Sequence, residues 1–190
     1  MPLNFNSGTG NYKPYVRYMA STSSWRTADG DFQFKKAIFD LDNVQTGWCL
    51  LAEGGAPEWV MDASIDQMAK KPEGEGWKRG FKVDIFSKDM FGDEPIREWG
   101  TNAAGATMSM QALFSEFEQS ERPAGQVPVV EFQGAVPTKV GKGNTTVPTL
   151  RIVKWVDRPA ELQDNEGLAV SGSSPSPVTA ATTADEDDEF

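Results

Sequence analysis

Residues 102–121 read NAAGATMSMQALFSEFEQSE. Ala106, Met110, Leu113, Phe114 and Phe117 recur there at helical spacing and fall on one face. Thr101 or Asn102 offers a cap at the start, and Arg122-Pro123 ends the run. Gly105 weakens the first turn, while Met108 and Met110 read as packing groups. The stretch therefore predicts one amphipathic helix, and its place between strand signals decides the fold.

Working outward, the flanks are aromatic or β-branched runs bounded by turn formers. KPYVRYMA (13–20), FKKAIFDL (34–41), TGWCLLAE (46–53) and GFKVDIFSK (80–88) precede the helix. QVPVVEFQG (126–134) and VPTLRIVKWV (147–156) follow it, and EWVMDA (58–63) reads as a short extra strand. Three main strands, a helix and two closing strands is the element order of an OB-fold, a small five-stranded barrel. The expectation is a mainly β chain. One helix lies between strands 3 and 4, with an added N-terminal strand and a loop insertion at 54–79. A β-sandwich carrying one helix gives a similar string.

Composition changes sharply after TLRIVKWVDRP. From Ser171 the chain is Ser, Thr, Ala, Pro, Gly and acid, with Val178 and the final Phe190 its only large apolar residues, and it cannot bury enough apolar surface to offset ordering entropy. The expected organisation is a nucleic-acid-binding body at 1–160, a flexible linker at 161–184 and an acidic tip at 185–190. All 18 basic residues lie in the body, which nets −2, while the last 30 residues hold 8 acids and no base. With one cysteine, Cys49, no intrachain disulfide forms. No signal peptide or membrane span is legible, so a cytoplasmic location is expected. Histidine is absent, which removes His-dependent nucleophile systems and His-bearing zinc sites. No metal or other cofactor is called for.

Within the body, charge is segregated. Residues 1–28 net +3, residues 70–82 net +3 and residues 132–158 net +4. Aromatic residues sit inside these segments: Tyr12, Tyr15, Tyr18 and Trp25 beside Arg17 and Arg26, Trp77 and Phe81 beside Lys78 and Arg79, and Trp155 beside Lys154. Single-stranded nucleic acid needs this mixture, because cations track phosphates while rings stack on unpaired bases at about 1–3 kcal/mol each. Alternation places Phe81, Val83 and Ile85, and likewise Ala37, Phe39 and Leu41, in the core, leaving Lys36 and Lys82 outward. In LRIVKWV, Arg151 and Trp155 share the outer parity, but Lys154 then falls on the apolar one, which is a conflict. PTKVGKGNTTVP (137–148) reads as a basic, glycine-rich loop that would close over the strand. The candidate DNA-binding residues are Tyr15, Arg17, Trp25, Lys36, Trp77, Lys78, Arg79, Lys82, Lys139, Lys142, Arg151 and Trp155.

The final residues are DEDDEF, with Asp185, Glu186, Asp187, Asp188 and Glu189 before Phe190. A row of carboxylates imitates phosphates, and the ring adds an apolar anchor for a pocket on another protein. This tip, behind a Ser/Pro/Thr linker and an OB-like body, resembles the ends of single-stranded-DNA-binding proteins, most closely the bacteriophage-encoded type. The resemblance implies a non-enzymatic protein that protects single strands during phage DNA replication and recombination, in the host cytoplasm, without strong sequence preference. It further implies that the tail competes with DNA and recruits replication or recombination proteins. Oligomeric state stays open, a homo-oligomer included. Two rival classes stand beside this reading. One is a Mg²⁺-dependent nuclease built on Asp40, Asp42 and Asp84. The other is an acidic structural or DNA-mimic phage protein.

Overall fold

The computed structural model describes residues 13–51 and 56–163. In chain order the elements are β1 (Arg17–Met19), β2 (Ser24–Thr27), β3 (Gly30–Phe32), β4 (Lys36–Phe39), β5 (Gln45–Leu50), β6 (Glu58–Met61) and β7 (Lys78–Phe86). Then come α1 (Lys88–Phe91), β8 (Ile96–Thr101), α2 (Ala104–Gln119), β9 (Gln126–Val140), β10 (Gly143–Asp157) and α3 (Ala160–Gln163). Among the described residues the fold is mainly β, with one long helix, α2, between β8 and β9, where the apolar periodicity places it. Tyr12, the linker from residue 164 and the tip at 185–190 lie outside the described residues. No helix among the described residues is long and apolar enough to cross a membrane.

The larger sheet runs β10-β9-β4-β7-β5-β6, with β8 also paired to β7. Ile85 explains the branching, since it pairs with Phe39 on one edge and Arg97 on the other. Along one edge of β7, β4 and β5 lie end to end, joined by a 3₁₀ turn at Leu41–Asn43. A second sheet holds β1-β2-β3. These strand counts correct the expected five-stranded barrel. Among the described residues β8 and β10 do not pair, so the sheet does not close on itself. Residues 14–20 bond to both strands instead. Glu98 N–H donates to Pro14 O (2.8 Å) and Val16 N–H to Glu98 O (3.0 Å). Thr146 Oγ1–H donates to Ala20 O (2.6 Å), and the Tyr18 hydroxyl bonds Thr146 Oγ1 (2.9 Å).

The stretch expected as a loop at 137–148 is strand. Pairing continues to Val140 and Gly143, so Gly141 and Lys142 alone form the turn, with Gly141 at φ 59°. Tight two-residue hairpins need such a conformation, which glycine adopts without a Cβ clash. Thr138, Thr145, Thr146 and Val147 supply β-branched side chains that suit the ribbon.

One core cluster joins the two sheets and α2. Ala106, Met110, Leu113 and Phe117 of α2 share it with Leu150, Val130, Phe39, Trp25 and Trp99. Truncating a fully buried residue such as Leu113 to alanine costs about 2–5 kcal/mol. Gly105 is a point of approach rather than a weakness. A Cβ there would meet Thr146 O at 2.6 Å, so the bare backbone lets the first turn sit against β10. Ser109 Oγ–H, one turn on, donates to Pro148 O at 2.6 Å. Neither Thr101 nor Asn102 caps α2 as expected. The N-cap is Ala103, and Asn102 turns inward to donate to Cys49 O. The packed body extends to Gln163, since Leu162 is fully buried and Glu161 pairs with Lys88 at 2.7 Å.

Candidate nucleic-acid interface

Trp25 is a core residue, which removes it from the candidate base platforms. It is 1 % exposed and ringed by Phe34 (4.7 Å between centroids), Trp99 (4.9 Å) and Tyr18 (5.3 Å). Strand alternation is the reason: β2 turns Trp25 inward and Arg26 outward, where Arg26 binds Asp31 at 2.6 Å. Trp155 also leaves the outer face. A register shift between Ile152 and Lys154 adds one residue to β10. Such a bulge reverses the alternation beyond it. Lys154 is therefore exposed, which resolves its parity conflict, and Trp155 packs half-buried on Phe117 at 5.9 Å. Arg151 and Trp155 accordingly do not share a ligand face.

Several candidate cations are held by carboxylates. Lys36 pairs with Glu131 (3.3 Å), Lys82 with Glu98 (3.3 Å) and Arg151 with Glu116 (3.5 Å). Arg79 is the most firmly held. Both of its terminal nitrogens donate to Asp62, whose side chain is 2 % exposed. Asp62 also accepts from Thr46 Oγ1–H and from Ala69 N–H (2.8 Å). Together, the Arg79 hydrogen bond first, these donors hold the carboxyl well below the usual carboxylate range, and Asp62 in turn raises Arg79. Arg79 is thus a latch for the segment 62–71.

Eight cations form no ion pair among the described residues: Arg17, Lys35, Lys70, Lys71, Lys78, Lys139, Lys142 and Lys154. Arg17 lies 4.5 Å over the Tyr15 ring, on a segment that bridges Glu98. Lys139 and Lys142 stand at the tip of the β9–β10 hairpin. Lys70, Lys71 and Lys78 flank the latch on the connection from β6 into β7.

That connection gathers the half-buried indoles. Trp48 on β5 donates Nε1–H to Ala69 O (2.8 Å), with Arg79 5.3 Å and Lys71 5.7 Å from its ring centroid. Trp59 on β6 has Lys82 at 5.2 Å, and Trp77 directly precedes β7. Each indole is partly exposed, and cations lie over the Trp48 and Trp59 rings. Val60, Ile65 and Met68 add exposed apolar surface to the same hairpin and connection. Trp48, Trp59, Lys70 and Lys71 were not among the sequence candidates. Both tryptophans lie in stretches already legible as strands. Their register, with Trp48 opposite Val60 and Trp59 opposite Cys49, sets the two rings on opposite faces of the hairpin and is supplied by the fold alone.

The carboxylates of the nuclease alternative are engaged elsewhere. Arg158 donates to Asp40 (2.8 Å) and Asp42 (3.2 Å), Arg122 binds Asp42, and Lys13 binds Asp84 at 2.7 Å. Burial pushes the Asp84 carboxyl up against the opposing pull of Lys13. Among the described residues no group of three or more His, Cys, Asp or Glu is placed to hold a metal. In comparisons with known proteins, no family model, no curated protein and no solved structure matches this chain.

Proposed function

We propose that this chain binds single-stranded DNA without strong sequence preference and shields it during replication or recombination. One observation carries the reading: three partly exposed indoles, Trp48 and Trp59 on opposite faces of the β5–β6 hairpin and Trp77 just before β7, are accompanied by lysines 70, 71 and 78, which form no ion pair among the described residues. Rings of this kind stack on any base, and unpaired cations track any phosphate. The path β4–β5, β7, β8, α2, β9, β10 also has the element order of an OB-fold. In that reading, β6 with the connection to Trp77 stands for the loop joining the first two strands. The distal β9–β10 hairpin stands for the loop joining the last two. Those loops and the strand face between them are where OB-folds hold oligonucleotides. The acidic run 185–190 then acts as a phosphate-like competitor and an address for replication partners.

The test is intrinsic tryptophan fluorescence titrated with oligo-dT at increasing NaCl. Quenching at low salt that is reversed by salt is expected, because bound lysines release counterions from the strand. A strand that neither quenches at low salt nor co-migrates with the protein in a gel would overturn the reading.

A further inference from the structure

We infer that the groove between the small sheet and the β4–β9 pair takes one nucleotide of the bound strand, base inward and phosphate at the rim. The proposal rests on the single-strand reading above and adds a site remote in sequence from Trp48, Trp59 and Trp77. The groove has a volume of about 750 Å³ and is lined by Phe32, Phe34, Phe132, Trp25, Lys35 and Lys36 among others. That volume falls within the roughly 300–1,000 Å³ of small-molecule pockets, whose walls are mainly apolar with a few placed polar groups.

The lining selects the ligand class. Phe32 and Phe132 are partly exposed, and each lies against Phe34, at 6.3 and 6.4 Å between centroids. This is a ring-walled floor suited to a flat base. Beneath it, the Trp25 Nε1–H is buried with no acceptor among the described residues. At the rim the acids are already matched, Asp31 by Arg26 and Glu131 by Lys36. Lys35 has no carboxylate partner among the described residues, so the charge left unmatched by them at the mouth is positive. An aromatic floor with a spare cation at its edge fits a nucleotide. A purely apolar ligand would leave Lys35 without purpose.

The experiment is photocrosslinking of the full chain to oligo-dT carrying a single 5-iododeoxyuridine, with the linked peptides mapped. It is paired with affinity measurements on Lys35→Glu. Crosslinks to Phe32 or Phe132 are expected, with affinity lowered about 3–10-fold in Lys35→Glu and the salt slope reduced by about 1 at unchanged thermal midpoint. Crosslinks confined to Trp48, Trp59 and Trp77, with Lys35→Glu binding like the parent, would overturn the groove while leaving the single-strand reading intact. Failure of the parent protein to bind the strand at all would overturn both.

Discussion

Two sets of tryptophans divide this molecule. Trp25 and Trp99 meet edge-on in the core, 1 % exposed each, among phenylalanines and with no cation over either ring among the described residues. Trp48 and Trp59 lie on the β5–β6 hairpin, partly exposed, with Arg79, Lys71 and Lys82 above them. The residue type is the same, yet it is the core pair that has a base close by in sequence, Arg26 beside Trp25 and Arg97 two positions from Trp99, while no base lies between Lys36 and Lys70 around Trp48 and Trp59. What differs is the company that strand pairing supplies. Trp25 is paired across β2 with Tyr18 and Phe32, so its neighbour Arg26 is sent outward to Asp31. Trp48 is paired with Arg79 itself. A basic residue adjacent in sequence therefore says little about the ring, and one adjacent in register says much.

Mutations can break this division. Trp99→Ala should destabilise the protein most, by about 3–5 kcal/mol, read from the urea midpoint. A similar loss for Trp59→Ala would erase the contrast. Asp62→Asn should come next, at about 2–3 kcal/mol, because it leaves Arg79 with a weakened partner in a partly exposed site. Its pH dependence has a definite sign. Asp62 is depressed in the folded state, so its contribution is fully present above the unfolded value of about 3.9 and is lost as pH falls below it. The stability gap between parent and Asp62→Asn should stay constant above about pH 5 and narrow below about pH 4 in urea titrations at stepped pH.

Trp59→Ala should instead weaken oligo-dT binding by about 1–3 kcal/mol, with folding stability changed by less than about 1 kcal/mol. Fluorescence titration and thermal melting separate the two effects. The smallest change should follow Arg151→Ala, whose exposed pair with Glu116 contributes about 0–1 kcal/mol to stability. A loss of strand affinity in Arg151→Ala matching that of Trp59→Ala would sharpen the map by extending the interface onto β10.

Legibility followed locality. The helix α2 and strands β4, β5 and β7 carry strong periodicity, and they appear where the apolar pattern puts them. Strand β8 escaped notice because IREWGT mixes charges into its core. Arg97 is buried there by donating to the carbonyls of Glu94 and Ile96. The β2–β3 hairpin was hidden in TADGD, whose turn is closed by Gly30 at φ 125°. The threonine-rich ribbon at 137–148 looked like a loop because glycine and lysine outweighed its β-branched alternation. Of the sequence candidates, Arg17 and lysines 78, 139 and 142 form no ion pair among the described residues, whereas Arg79 does. The sequence could not distinguish them from Arg79.

By itself, then, the sequence determined what depends on near neighbours: a mainly β chain, one amphipathic helix at a known place, and bases collected into three segments. Tertiary structure alone decided which of those bases stay available. Arg79 meets Asp62, Lys13 meets Asp84, and Arg158 meets Asp40 across 118 positions of chain. Ion pairing acts over a few ångströms of space. A count of charge along the chain is blind to which carboxylate the folded sheet brings alongside.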